Sequence, residues 1–216
     1  MISARALLRR LRPAGPAAGV LVLLAASAAA LEAPADRPGD APVTPKAELA
    51  ARPAKPAPPT LDELYDRLAD APDEKVAARV ARDIEARWRR SDSPTIDALM
   101  GQAAGALEDG DTALALDLLD AVVRLAPDYA EGWNRRAAAL FQASEYGLAI
   151  ADIERALALE PRHFGALAGL GLILRQLDDK TDALAAYDAV LAINPRDADA
   201  RKARDELLGE TGGREL

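Results

Sequence analysis

Pro127, Pro161 and Pro195 stand 34 residues apart, in "LAPD", "LEPR" and "INPR". A proline ends a helix by removing a backbone donor and crowding the preceding turn. Three such breakers at one interval divide the second half of the chain into equal units: 96–129, 130–163 and 164–197. The units agree position by position. The fourth residue is Leu99, Trp133 and Leu167; the eighth is Ala103, Ala137 and Gly171; the eleventh is Ala106, Leu140 and Leu174. The twentieth is alanine in all three (Ala115, Ala149, Ala183), and the twenty-fourth is Leu119, Ile153 and Tyr187. Positions 4, 8 and 11 form one stripe of a first helix, and 20, 24 and 27 one stripe of a second. Small residues at 8 and 20 let the backbones approach where the helices cross. "EDGD", "ASEY" and "LDDK" supply the polar turns between them.

This pattern resembles the tetratricopeptide repeat. The resemblance implies an all-α fold: a right-handed superhelical solenoid of three helix pairs. A single pair cannot bury its own face, so such an array needs ends. Downstream, 198–208 reads as a capping helix through Ala200, Ala203 and Leu207, and 209–216 is expected to fray. Upstream, 61–93 reads as a second helix pair, with Leu61, Leu64, Tyr65 and Leu68, then Val76, Val80, Ile84 and Trp88 at helical spacing. It is expected to be an N-terminal cap or a degenerate repeat, with Trp88 as a core anchor. One departure stands out: position 7, usually leucine in the family, is Gln102, Arg136 and Leu170, which predicts looser packing in the first two units.

The beginning of the chain reads as an address and a tether. A basic stretch to Arg12 precedes an apolar run from Ala17 to Leu31 with small residues at its end. That is the pattern of a secretory signal over 1–30, with an uncleaved inner-membrane anchor as one alternative and an arginine-rich presequence as another. Eight prolines between Glu32 and Thr60 make 31–60 an extended linker. "EGWNRRA" and "LALEPRHFGALAGLG" are similar to small exported tetratricopeptide proteins of Gram-negative bacteria, which implies a periplasmic or secreted location.

The formal charge is −8, and the first 31 residues hold four arginines and no acid, which leaves −12 for the remainder. Nucleic-acid binding rests on neutralising phosphates with lysine and arginine, so this balance argues against it. The chain has no cysteine, which removes thiolate chemistry and cysteine-ligated metals. His163 is the one histidine; it lies in the link between the second and third units, where it can cap the next helix or meet solvent. No companion ligand, nucleophile or orienting group accompanies it. The carboxylates Asp62, Glu63 and Asp66, and the pair Asp178–Asp179, fall at a helix start and a turn, where acids complement the helix dipole. No catalytic residue, metal site or cofactor is signalled, and a glycan-acting enzyme ranks last among the readings.

What remains is a surface. In the family, first helices line a concave side through positions 2, 5, 9, 12 and 13. The resemblance therefore names Met100, Asn134, Ala138, Phe141, Gln142, Leu172, Arg175 and Gln176 as candidates to hold a peptide or helix of a protein partner. Some family members clamp a terminal carboxylate; the matching positions here are Met100, Ala104, Arg135, Gly165 and Gly169, of which only Arg135 suits that task. The runner-up is self-association through the convex side or the upstream helix pair.

Overall fold

The computed structural model describes residues 58–212. The 1–30 segment, nearly all of the 31–60 linker and the tail beyond Gly212 lie outside them. The described residues form nine helices and no strand. In chain order these are α1 (Leu61–Ala69), α2 (Glu74–Trp88), α3 (Pro94–Glu108), α4 (Thr112–Leu125), α5 (Ala130–Gln142), α6 (Tyr146–Leu159), α7 (Phe164–Gln176), α8 (Lys180–Ile193) and α9 (Ala198–Gly212). The pairs α3–α4, α5–α6 and α7–α8 are the three repeats of a helical-repeat solenoid, and α9 packs on the last of them.

The 34-residue period governs the backbone as well as the core. The turn inside each repeat passes through a left-handed residue at one position: Gly110 (φ 79°), Ser144 (φ 63°) and Asp178 (φ 58°). The next N–H closes back onto the eleventh carbonyl in every case, Asp111 to Ala106 at 2.8 Å, Glu145 to Leu140 at 2.8 Å and Asp179 to Leu174 at 2.9 Å. This is the six-to-one bond by which a left-handed residue satisfies the last carbonyls of a helix. Asp111 and Asp179 then cap the second helix by accepting the Leu114 and Asp182 N–H groups. The alanines at position 20 are fully buried at the crossings. At Gly171 the approach is closer still, because a Cβ there would lie 2.9 Å from the Tyr187 ring.

The upstream pair does not stack before the first repeat. It lies along the links between repeats and shares one core with the second and third of them. Leu64, Tyr65, Leu68, Val80 and Ile84 belong to the same buried cluster as Leu157, Phe164, Leu167, Val190 and Leu207. The first repeat instead packs on the second through a separate small cluster, Ala103, Leu119 and Ala139. With 15 residues α2 is about 22 Å long, enough to pass three links whose helices are spaced at roughly 10 Å.

Each link is met in turn. Glu74, at the start of α2, pairs with Arg201 at 3.1 Å; Trp88, at its end, stacks on His163 with centroids 3.9 Å apart and planes 14° from parallel. The Arg89 carbonyl, just beyond, accepts the Tyr129 hydroxyl at 3.0 Å. α1 adds the Tyr65 hydroxyl on the Arg162 carbonyl at 3.1 Å, and the Arg162 guanidinium covers the Tyr65 ring at 3.9 Å. The expectation of a cap or degenerate repeat at the head of the array is thereby corrected. Its apolar rows are matched to the links, where the end of the second repeat and the start of the third leave Leu157, His163 and Phe164 to be covered.

Two further expectations are corrected. Position 7 of the second repeat is not loosely packed: Arg136 Nε and Nη2 grip Asp152 at 2.7 Å each, and Nη1 reaches Asp120 at 2.7 Å. In the first repeat Gln102 is exposed, as befits a face with no repeat before it. The tail does not fray at 209, because Glu210 pairs with Arg175 and Lys180 and holds the last turns of α9.

Candidate functional site

His163 occupies the last position of its repeat, equivalent to Asp197 one period later. There Asp197 Oδ1 accepts the Ala200 N–H at 2.9 Å, and His163 Nδ1 accepts the Ala166 N–H at 3.1 Å. An accepting Nδ1 carries no proton, so the hydrogen sits on Nε2 and is donated to Glu131 Oε2 at 3.1 Å. The ring is 1% exposed, so the alternative of a solvent contact falls away. The imidazole is a helix cap that also carries the Trp88 stack. Trp88 in turn tilts against Phe164 at 4.7 Å.

Glu131 is 3% exposed and receives three donors: His163, Arg135 Nε at 2.6 Å and Asn134 Nδ2 at 2.9 Å. Burial alone would raise its carboxyl, but these partners outweigh it and hold the group below the ordinary carboxylate value of 4.5. A carboxylate depressed in the folded state contributes stability above its unfolded value and loses it as pH falls through the folded one. Thermal melts between about pH 5 and about pH 3 should therefore show the wild type losing Tm more steeply than Glu131→Gln. Parallel slopes for the two proteins would refute that account.

The sequence-named groove residues are not all brought together. Three hollows follow one another along the first helices, at matching repeat positions. The first, about 290 Å³, is lined by Met100, Ala103, Ala104, Leu107 and Leu119, with Arg135 from the next repeat. The second, about 340 Å³, is lined by the residues one period on: Asn134, Ala137, Ala138, Phe141 and Ile153, with Gly169 in the place of Arg135. The third, about 410 Å³, repeats the set with Ala168, Leu172, Tyr187 and Ala203.

Asn134, Ala138, Phe141, Gln142 and Leu172 thus share the second hollow, while Met100 lies in the first. Arg175 is committed elsewhere, to Glu206 at 2.9 Å and Glu210 at 3.0 Å, and those acids hold its guanidinium in the charged form. Gln176 is exposed and lines none of the three. Phe141 is half-buried against Tyr146, and Leu172 is 46% exposed.

Sequence reasoning placed Ala137 and Ile153 on the helix-packing stripes alone and named Gly169 only as a clamp position, yet all three line the second hollow. It also missed Arg89 and Glu85, which reach the trough from the α2 end. The period itself carried the signal for the first three, since each is the counterpart of a residue in the first hollow. Of the suspected carboxylates, Asp62 is bound to Arg162 at 2.6 Å, Glu63 closes the capping box of α1 with Thr60, and Asp179 caps α8. Among the described residues no group of three or more His, Cys, Asp or Glu side chains is placed to hold a metal ion, and no helix is long and apolar enough to cross a membrane.

Comparison with known proteins agrees with this geometry. The tetratricopeptide repeat profile matches residues 100–153 and 142–198. A tetratricopeptide repeat-containing protein of Rhizobium etli is 39% identical over 153 residues, covering 71% of this chain and 75% of its own length. Among solved structures, the first such domain of Spaghetti (RPAP3), bound to an HSP90 peptide, is similar with a TM-score of 0.53 at 20% identity, over 56% of this chain and 95% of that one. The Sgt2 domain from Aspergillus fumigatus gives 0.54 at 22% identity, over 57% and 83%. With the sequence period, the repeated turn geometry and a relative aligned over most of both lengths, the chain belongs to the tetratricopeptide repeat family.

Proposed function

We propose that this protein is a non-catalytic adaptor of the cell envelope that holds a segment of another protein along the three hollows. A protein-protein interaction role is general to the fold; the groove as its seat rests on one observation. Apolar hollows recur at equivalent positions of successive first helices, which gives an elongated partner several equivalent footholds. The RPAP3 neighbour, bound to a peptide, supports a partner of this kind. Export rests on the basic and apolar pattern of residues 1–31, and N-terminal sequencing of protein recovered from the envelope tests it.

Affinity capture from the native envelope tests the groove. Phe141→Asp and Leu172→Asp each place a charge in the second hollow and are expected to weaken partner retention by about ten-fold or more, with circular dichroism unchanged. Equal retention by wild type and both variants would overturn the assignment. The runner-up, self-association, draws on Leu114 and Leu148, which sit at one repeat position on second helices and are 48% and 58% exposed. A mass that rises with concentration in light scattering would favour it.

A further inference from the structure

The array is closed at one end and open at the other. Stacked repeats need end units with a polar outer side. α9 supplies one at the far end, with Lys202, Asp205 and Glu206 exposed. The first repeat has no such cover, because the upstream pair is spent on the links.

Which side is open follows from the period. At positions 3, 7, 10 and 23 the third repeat buries Ala166, Leu170, Ile173 and Ala186. From positions 7 and 26 the second repeat reaches back to the first, Arg136 to Asp120 at 2.7 Å and Arg155 to the Pro127 carbonyl at 3.3 Å. These positions therefore face the preceding repeat. In the first repeat, where none precedes, they present Ala98, Gln102 and Gly105 on α3 and Leu118 and Ala121 on α4, all exposed or half-buried. Leu125 extends the row at position 30 and is 64% exposed, whereas its counterpart Ile193 packs on the core. Gly105 stands where Ala139 and Ile173 are buried, yet a Cβ there would meet nothing within 4 Å. Glycine inside a helix is destabilising relative to alanine, and no contact among the described residues calls for it. A helix approaching from outside would.

We infer that this open face is covered by a second copy of the chain across a two-fold axis. Leu118, Ala121 and Leu125 have the spacing of a coiled-coil seam. Asp117 and Arg124 flank that seam along one edge, both exposed and without an ion pair among the described residues. A two-fold axis sets α4 antiparallel to its copy, so the same edges meet with their order reversed. Asp117 then faces Arg124 of the second copy, and Arg124 faces Asp117. The same axis sets α3 against α3, where Ala98 and Gly105 permit close approach. Gln102 can both donate to and accept from its own copy there.

Two helices about 21 Å long, side by side, offer a patch of roughly 20 by 20 Å. That is small for a permanent dimer, so a dissociation constant on the order of 10 µM is expected. None of the six residues of this face lines a hollow, so the dimer does not depend on the groove reading.

Sedimentation equilibrium of the chain recovered from the envelope, from about 1 to about 200 µM, should fit a monomer and a dimer and nothing larger. Leu125→Lys should weaken the dimer about ten-fold or more. Asp117→Arg and Arg124→Asp, each of which sets like charges together, should each weaken it about ten-fold. An equimolar mixture of those two variants matches opposite charges across the axis and should recover wild-type affinity. All three sites are exposed, so the fold is not at stake. Leu148→Lys, on the convex side, should change nothing.

A strict monomer over this range, growth beyond a dimer, or a mixture that fails to recover would overturn the inference. So would association lost in Leu148→Lys and kept in Leu125→Lys, which would place the contact on the convex side. Partner retention by Phe141→Asp reports on the groove separately, so the two readings can fail independently.

Discussion

Trp88→Ala should lower the melting temperature by roughly 10 °C, from a loss of about 3 kcal/mol. Three interactions vanish together: the stack on His163, the contact with Phe164 and the cover over a buried imidazole. Hydrogen exchange should show the damage first in α1 and α2, with α3 and α4 less affected, because the upstream pair shares its core with the second and third repeats. Uniform acceleration across all nine helices, or a Tm within about 2 °C of wild type, would mean that the stack is not an anchor.

The second large effect is expected at Arg136. Arg136→Ala strands Asp152, 6% exposed at its side chain, without its bidentate partner. Breaking a buried pair from one side costs about 3–5 kcal/mol, far more than the net worth of the pair. The third repeat provides an internal control, for it carries Leu170 and Ala186 at the positions of Arg136 and Asp152, both fully buried. The double variant Arg136→Leu with Asp152→Ala should therefore recover most of the loss and lie within about 1.5 kcal/mol of wild type. A denaturant double-mutant cycle measures this directly. If the losses at the two sites simply add, the ion pair and the leucine are not alternative solutions to the same packing problem.

These two sites mark where reading the sequence succeeded and where it fell short. The repeats were legible because each of their helices packs on partners one period away, so the constraint recurs and a single chain displays it three times. Ala115, Ala149 and Ala183 are the plainest case, one small residue demanded by one crossing. Arg136 broke that rule, and its compensation lay 16 residues on at Asp152, a charge at an otherwise apolar position. The placement of α1 and α2 was not legible, since amphipathic spacing says which face is buried but not against what. A signal existed in Tyr129 and His163, ring-bearing residues at the last position of successive repeats, both of which meet the end of α2 or the residue after it. For the trough, the family positions found Asn134, Ala138, Phe141 and Leu172. They could not show that Arg175 turns away to α9, because that depends on where Glu206 and Glu210 fall in a helix with little sequence pattern.

The docking of the upstream helices has a consequence for how the chain acquires its structure during synthesis. Tyr65 waits 97 residues for the Arg162 carbonyl, and Glu74 waits 127 for Arg201. Ordinary solenoids are built from neighbours and can mature as they leave the ribosome. Here the segment that emerges before the repeats must idle, apolar rows uncovered, until the later ones exist to receive it. The closing event of folding is thus assigned to the oldest helices, and the slow phase of refolding should report on Trp88.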